Sequence, residues 1–273
     1  MLNKRFLSAV IGTFCVFLIL RAGGILLLIT VGFLIRFGLD EFFQFAEAKG
    51  AKPNKTWGLI GSLVLLLVVY LKSNNFVLPI STSSVVIVFL YLLLLKNLFI
   101  SSKEGTSAIF DSATTILGVL YIGGFFSYFI LIYNFTFSGE QLGEILIWIP
   151  IISSWMTDTF AYLVGMKFGK HSLAPQVSPN KTIEGAVGGV VGSVIGVLVY
   201  GSLLPLTIKE RVILGVILSV ASQLGDLVES SLKRDAEIKD SGDLIPGHGG
   251  LLDRFDSLLF ALPTFYYLLI FLG

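Results

Sequence analysis

The sequence predicts an all-α, polytopic integral membrane protein with about nine transmembrane helices and a cytoplasmic-facing polar site between the later helices. Hydrophobic residues make up 55% of the 273 positions and mean hydropathy is +0.88. Charged residues make up 14%, against roughly 25% in soluble domains. Apolar runs of roughly 15 to 25 residues recur along the whole chain, a length suited to crossing a bilayer. The alternating short segments typical of a β-barrel are not seen.

Residues 1–140 are predicted to form an N-terminal membrane region with helices 1 to 5. Lys4 and Arg5 before the first apolar run resemble a signal peptide, but further spans follow and no convincing cleavage site does. Four residues spaced as one helix face predict a separate amphipathic helix at the membrane surface near 39–50; they are Leu39, Phe42, Phe43 and Ala46. The five spans are expected at about Phe6 to Leu20, Ile25 to Leu39, Trp57 to Leu71, Val77 to Leu95 and Ala108 to Tyr133.

Residues 141–273 are predicted to form a C-terminal catalytic membrane region with helices 6 to 9. These spans are expected at about Leu142 to Val164, Ile183 to Leu204, Val212 to Leu232 and Phe255 to Leu272. Helix 7 carries glycines at three- and four-residue spacings, which predict close helix packing within one chain or in a homodimer. The glycines are Gly185, Gly188, Gly189, Gly192 and Gly196.

The basic residues give the predicted orientation. With nine spans, the amino terminus and the even-numbered loops share one side of the membrane. That side holds 15 of the 19 Lys and Arg residues, and the other side holds only Arg21, Lys72, Lys209 and Arg211. The positive-inside rule makes the first side cytoplasmic. We therefore expect a protein of the inner (cytoplasmic) membrane whose polar site faces the cytoplasm.

The stretch from Ser222 to Asp256 is unusual for its place in the chain. It holds 12 of the 37 Asp, Glu, Lys and Arg residues, yet apolar spans flank it on both sides. Asp226, Glu229 and Lys233 fall on one helix face. They could form a salt-bridge ladder, or a carboxylate among them could bind a metal beside a basic residue that binds phosphate. Asp253 and Asp256 begin helix 9, where the first could also be a cap.

Carboxylates so placed would repel one another unless a cation lay among them. Hard oxygen ligands suit Mg²⁺, which also takes ligands from substrate phosphates. The sequence therefore predicts a magnesium site at Asp226, Asp253 and Asp256, with a second cation left open. The net charge of +1 gives no bulk attraction for nucleic acid, and no nucleic-acid partner is expected.

Further polar groups lie near this stretch in the predicted topology. Asp158 is an acid inside helix 6, for which we expect a metal or Lys181 as partner, or else a structural hydrogen bond. Ser178, Lys181 and Thr182 lie at the mouth of helix 7, where helix amides could bind anions. In the run from Pro246 to Gly250, glycines allow backbone N–H groups to approach a phosphate, or merely make a turn.

The motifs in this region resemble the signature of phosphatidate cytidylyltransferases, also called CDP-diacylglycerol synthases. The resemblance spans Ser230 to Asp256 and includes Leu232-Lys233-Arg234, Lys239-Asp240, His248-Gly249-Gly250 and Asp253-Arg254-Phe255-Asp256. Two further stretches, Asp158 to Tyr162 with Gly165 and Ser178 to Gly185, are similar to other motifs of the family. Asn180 and Ile183 depart from the expected lysine and tryptophan, and Asn180 cannot supply a basic contact.

The resemblance implies that CTP and phosphatidate give CDP-diacylglycerol and pyrophosphate, with Mg²⁺ required and the membrane lipid as surroundings. It assigns catalysis to Asp226, Lys233, Arg234, His248, Asp253, Arg254 and Asp256. It assigns substrate binding to Asp158, Ser178, Lys181, Thr182, Lys239, Gly249 and Gly250. Lys233, Arg234 and Arg254 are candidates for the triphosphate.

Two alternatives stay open at this point. A CTP-dependent polyprenol or dolichol kinase would use the same nucleotide with a similar topology. An ion-coupled transporter would use Asp158 and Asp226 as ion sites inside the membrane, but this leaves the His248-Gly249-Gly250 loop without a role.

Overall fold

A computed structural model of the chain describes residues 2–99, 107–137, 139–238, 241–242 and 249–272. The fold is all-α, as predicted, with only two short two-stranded sheets in the described residues. The chain folds into two compact units. The first comprises residues 1–134 and 242–251, and the second comprises residues 135–241 and 252–273. The sequence predicts a division at residue 140 into an N-terminal and a catalytic region. That division stays a prediction.

The described residues of the first unit form six α-helices. They are α1 (Leu2–Ala22), α2 (Gly24–Ala48), α3 (Lys55–Ser73), α4 (Thr82–Phe99), α5 (Ala108–Gly118) and α6 (Phe125–Tyr133). Gly23 and Gly24 both have positive φ, 56° and 51°, so they form the turn between α1 and α2. A π-helical turn at Val119–Gly124 joins α5 to α6, and the three elements make one apolar segment from Ala108 to Tyr133.

The predicted surface helix near 39–50 is wrong, because these residues continue α2 without a break to Ala48. Leu39 and Phe43 are 1% and 0% exposed, so their face packs into the unit instead of facing a membrane surface. The Phe43 ring fills the space where side chains at Gly58 and Gly118 would lie. A core-facing stripe and a membrane-facing stripe have the same period, so spacing alone could not separate them.

The second unit carries the later helices. They are α7 (Gly143–Leu146), α8 (Trp148–Phe168), α9 (Ile183–Tyr200), α10 (Ile208–Asp235) and α11 (Leu252–Leu272). Strands β1 (Thr136–Phe137) and β2 (Glu140–Gln141) form one antiparallel pair. Strands β3 (Ser172–Ala174) and β4 (Ser178–Thr182) form a second antiparallel hairpin, between α8 and α9. No strand was predicted between the spans expected to end at Val164 and to begin at Ile183.

The glycine face of α9 packs closely against α8 of the same chain, which accounts for the glycine spacing. A Cβ at Gly188 would lie 2.6 Å from Val164, and one at Gly196 would lie 2.8 Å from Met156. Neither position has room for a larger residue unless the helices separate. The close approach aligns the amino terminus of α9 with the carboxyl-terminal half of α8.

Hydroxyl pairs reinforce the packing of α8 against its two neighbours. Ser153 bonds Ser193 of α9 at 2.7 Å. On the other side, Ser154 bonds Ser222 of α10 at 2.8 Å, and Thr157 donates to Ser219 at 3.0 Å. These buried groups satisfy one another, which avoids the cost of an unpaired polar group in an apolar interior. They fix α8, α9 and α10 immediately beside Asp158.

Six described segments are long and apolar enough to cross a membrane. They are Lys55–Ser73, Ala108–Tyr133, Gly143–Phe168, Ile183–Leu203, Ile208–Asp235 and Leu252–Leu272. Two shorter apolar helices, Gly12–Ala22 and Thr82–Lys96, also occur. The chain is therefore a polytopic membrane protein, although the predicted count of nine spans is not confirmed in the described residues.

Candidate active site

A cavity of about 620 Å³ opens between α8, the β3–β4 hairpin, α9 and α10. Its charged lining residues are Asp158 of α8, Lys181 of β4 and Asp226 of α10. Ser178, Asn180 and Thr182 add polar groups, and Tyr162 and Met166 add apolar surface. Three separate elements, α8, β4 and α10, thus bring predicted site residues from three stretches of sequence to one place. The Asp158 side chain lines the cavity and is not covered by neighbouring side chains, although it lies within a membrane-spanning helix.

The lysine of the hairpin forms an ion pair with the carboxylate of α10. Lys181 Nζ contacts Asp226 Oδ2, and the two side chains are 29% and 28% exposed. Lys181 also interacts electrostatically with Asp158 and with Asp256. One cation therefore faces three carboxylates on three different helices. Of the partners expected for Asp158, Lys181 lies close enough to interact electrostatically, but its direct partner is Asp226.

The three carboxylates lie close enough to interact with one another. Asp256 interacts electrostatically with both Asp226 and Asp158, and Asp158 interacts with Asp226. The contact between α10 and α11 explains this proximity, because a Cβ at Gly225 would clash with the backbone oxygen of Asp256. A glycine immediately before Asp226 therefore lets the helices approach where their acidic residues lie.

A second charged group lies along α10 and the first turn of α11. Lys233 Nζ is 2.8 Å from Glu229 Oε2 and 2.6 Å from Asp253 Oδ1. Glu229 is 1% exposed, and Lys233 and Asp253 are 18% and 15% exposed. Asp253 also accepts the Ser241 N–H at 3.1 Å. The ladder interpretation is therefore right for Glu229 and Lys233, whereas Asp226 pairs elsewhere.

Two predicted site residues hold the hairpin in place. Thr182 is the N-cap of α9, and its hydroxyl accepts the Gly185 N–H at 3.1 Å. Arg234 Nε donates to the Val177 carbonyl at 3.3 Å, which ties the hairpin turn to the end of α10. Glu184 accepts from the backbone N–H groups of Lys170 and His171 and contacts His171 Nδ1 at 2.6 Å. These contacts set the position of Lys181.

The remaining predicted residues lie at the ends of the described stretches. Gly249 and Gly250 belong to the first unit, and Gly249 has φ 82°, so it uses the left-handed conformation expected of this run. Arg254 is exposed on the first turn of α11. Lys239 and His248 lie outside the described residues.

The predicted magnesium ligands have hard oxygen donors, but they form two neighbouring groups. Asp226 and Asp256 lie with Asp158, whereas Asp253 bonds Lys233 and Ser241. Among the described residues, no three His, Cys, Asp or Glu side chains are arranged to hold a metal ion by themselves. One or two carboxylates with substrate phosphates is, however, the usual set for Mg²⁺. The donors at Asp226 and Asp256 fit that ion.

Several residues of the site were missed from sequence. Gln223 lines the cavity and donates to the Ala186 carbonyl at 3.3 Å. Gly225 allows the α10–α11 approach, and Ser241 pairs with Asp253. The only sequence signal for these residues was Gly225, because a glycine beside an acid inside a span can indicate a close helix contact. Glutamine and serine near a helix end are too common to be informative.

Fold and site together are those of an integral membrane protein in which carboxylates and lysines cluster around a cavity between the helices. Comparison with known proteins identifies the family. Residues 3–272 match the model of the cytidylyltransferase family. The chain therefore belongs to this family and is a nucleotidyltransferase.

Its curated relatives cover nearly the whole chain. A phosphatidate cytidylyltransferase from Staphylococcus aureus (strain COL) is 37% identical over 275 residues, which is 98% of this chain and 99% of the relative. One from Staphylococcus epidermidis (strain ATCC 35984) is 37% identical over 276 residues with the same coverage. One from Bacillus subtilis (strain 168) is 36% identical over 241 residues, 85% of each chain.

Proposed function

We propose that this protein is a phosphatidate cytidylyltransferase, which converts CTP and phosphatidate to CDP-diacylglycerol and pyrophosphate. The observation that carries the proposal is the cavity, where Asp158, Lys181 and Asp226 meet within a bundle of membrane-spanning helices. Such a site can take a nucleotide from water while the acyl chains of the second substrate stay in lipid. Relatives of that name that are 37% identical over 98% of the chain support the same activity.

The reaction needs positioning and charge neutralisation more than it needs a general base. A phosphate monoester has a second pKa of about 6, so the attacking group is largely dianionic at neutral pH. A phosphatidate oxygen forms a bond to the α-phosphorus of CTP as the bond from that phosphorus to the α,β-bridging oxygen breaks. The bridging oxygen and its electron pair leave with pyrophosphate. Catalysis of such transfers rests on alignment and electrostatic stabilisation.

The lysines of the site are suited to hold the two anions. Lys181 reaches the cavity from the hairpin, with Ser178 on the same strand as a hydroxyl donor. In the free protein Lys181 pairs with Asp226, so a phosphate entering the cavity would compete for it. Lys233 has two carboxylate partners. Together with Arg234 and Arg254, it is a candidate for binding the triphosphate.

Asp226 and Asp256 would hold Mg²⁺ in this enzyme, with Asp158 beside them and Asp253 as the further predicted ligand. When bound, the ion neutralises phosphate charge and stabilises the leaving pyrophosphate. The carboxylates would bind the cation, and the lysines would supply the remaining positive charge around the phosphates. A second cation stays part of the proposal because three acids on three helices converge around one lysine.

We further propose that the site faces the cytoplasm at the inner membrane, where CTP is found. The distribution of Lys and Arg favours this orientation. A homodimer stays a prediction. Because the glycine face of α9 packs against α8, a second copy would have to use other residues, and Val187 and Val191 are exposed on α9.

Two labelled nucleotides test the proposed reaction. Purified protein in phospholipid nanodiscs receives phosphatidate, Mg²⁺ and CTP labelled on either the α- or the γ-phosphorus. Label from the α-position should enter the lipid fraction, and label from the γ-position should stay in water as pyrophosphate. Transfer of γ-label to a polyprenol or dolichol acceptor would instead identify a lipid kinase. No transfer from either nucleotide would contradict the proposal.

A further inference from the structure

The last turns of α8 form a wall of the cavity that is also exposed on the outside of the protein. Tyr162 and Met166 both line the cavity, and they are 68% and 69% exposed. They lie four residues apart, so they share one face of α8. The membrane-spanning segment that contains them ends at Phe168, two residues after Met166. Along this wall, the cavity therefore borders the depth at which acyl chains of a bilayer meet their headgroups.

Two lysines flank this wall where the spanning segment ends. Lys167 lies in the last turn of α8, and Lys170 lies between α8 and β3. Both residues are exposed, and neither ammonium forms an ion pair with a carboxylate in the part of the chain that the structure describes. We call these two residues the lysine rim. Exposed ammonium groups at the level of the headgroups attract anionic lipids.

Local contacts hold the lysine rim beside the cavity. Lys167 Nζ lies 5.4 Å from the centroid of the Phe168 ring, which is itself exposed at the end of the span. The Lys170 N–H donates to Glu184 Oε2 at 3.1 Å, which ties the chain before β3 to the first turn of α9. Leu173, three residues after Lys170, lines the cavity. The two ammonium groups therefore lie at one edge of the cavity, close to the membrane.

We propose that the lysine rim is a docking surface for the headgroup of phosphatidate, with the acyl chains against Tyr162 and Met166. The identity of the lipid rests on the proposed function, whereas the charge and exposure of the rim do not. A phosphate monoester with a second pKa of about 6 carries nearly two negative charges at neutral pH, which the two ammonium groups complement. CTP arrives from water, so a surface at the end of a spanning segment favours the lipid of the two substrates.

Kinetics in phosphatidylcholine nanodiscs separate the two substrates. Phosphatidate is varied as a mole fraction of the lipid at saturating CTP, and CTP is then varied at saturating phosphatidate. Lys167→Met and Lys170→Met should each raise the KM for phosphatidate about fivefold, and the double variant should raise it at least about tenfold. The kcat and the KM for CTP should not follow. Arginine at both positions keeps the charge and should restore most of the affinity for phosphatidate.

Lys52→Met is the matched control, because Lys52 is an exposed lysine of the first unit on the same predicted side of the membrane. It removes one positive charge and should leave the KM for phosphatidate unchanged. Added salt should raise this KM in the wild type, since salt screens exposed charges, and should affect the double variant much less. The wall is tested by Met166→Glu, whose charge should repel the headgroup and raise the KM for phosphatidate several-fold above that of Met166→Gln.

Lipid binding without turnover gives a readout that does not depend on the reaction. In native mass spectrometry without CTP or Mg²⁺, the wild type should retain phosphatidate in preference to phosphatidylcholine, and the double variant should lose most of that preference. An unchanged KM for phosphatidate in the double variant overturns the docking surface. A rise in the KM for CTP instead, or an equal effect of Lys52→Met, also overturns it. If the rim retains phosphatidate but no CMP reaches lipid, the proposed function fails and the docking surface stands.

Discussion

Lys233→Met is the substitution for which the structure gives the clearest magnitude. The Lys233 ammonium lies 2.8 Å from Glu229 and 2.6 Å from Asp253, and Glu229 is 1% exposed. Methionine keeps the length of the side chain and removes its charge. Glu229 then stays buried beside a second carboxylate with no lysine to offset it.

Breaking a buried pair by removing one partner typically costs about 3–5 kcal/mol, because the remaining charge is left uncompensated. Breaking a pair of exposed charges costs only about 0–1 kcal/mol of stability. Lys55, which pairs with the exposed Glu47 at 2.8 Å, supplies the matched control as Lys55→Met. At about 2–4 °C per kcal/mol for a large domain, the expected loss in Tm is on the order of 10 °C for Lys233→Met and a few degrees at most for the control.

Thermal unfolding of the purified variants in one detergent measures the difference. The double variant Lys233→Met with Glu229→Gln should recover a large part of the lost Tm, because it removes the uncompensated buried charge as well. The reasoning is refuted if Lys233→Met and Lys55→Met lower Tm equally. It is also refuted if the second substitution gives no recovery.

Three further substitutions test separate parts of the site and fold. Asp226→Asn should lower kcat at least about a hundredfold with Tm retained, because one lost metal contact costs several kcal/mol; wild-type turnover with CTP and Mg²⁺ would contradict this. Lys181→Met should lower kcat/KM at least about tenfold for one substrate, with partial recovery in Lys181→Arg. If steady-state assays give the same kcat/KM for Lys181→Met and the wild type, a phosphate contact at Lys181 is excluded. Gly192→Leu should lower Tm by the equivalent of about 1–3 kcal/mol or more, since a Cβ there already overlaps Phe160. Val191→Leu, on the exposed side, should not lower Tm.

Membrane spans were the most predictable part of the molecule. An apolar run long enough to cross a bilayer indicates a helix whatever its neighbours are. The predicted segment from Ala108 to Tyr133 matches the bounds of the observed one, although its π-helical turn was not foreseen. Glycine spacing on α9 likewise predicted close packing, which Val164 and Met156 provide.

Partners across the fold were harder to predict, because they depend on which helices become neighbours. Spacing placed Asp226, Glu229 and Lys233 on one helix face. It could not show that Asp226 pairs with Lys181, or that Lys233 pairs with Asp253. The bond from Leu251 to Glu41 joins residues 210 positions apart, and no local pattern signals it. The β3–β4 hairpin was missed because its strands are only three and five residues long.

The most direct test of a cation held by acids from separate helices is the binding of Mn²⁺ in place of Mg²⁺, followed by electron paramagnetic resonance. With CTP present, wild-type protein should bind Mn²⁺ tightly, and Asp226→Asn and Asp256→Asn should each weaken binding at least about tenfold, while Glu47→Gln should not change it. Equal Mn²⁺ affinity in all four proteins would contradict a site built on these carboxylates.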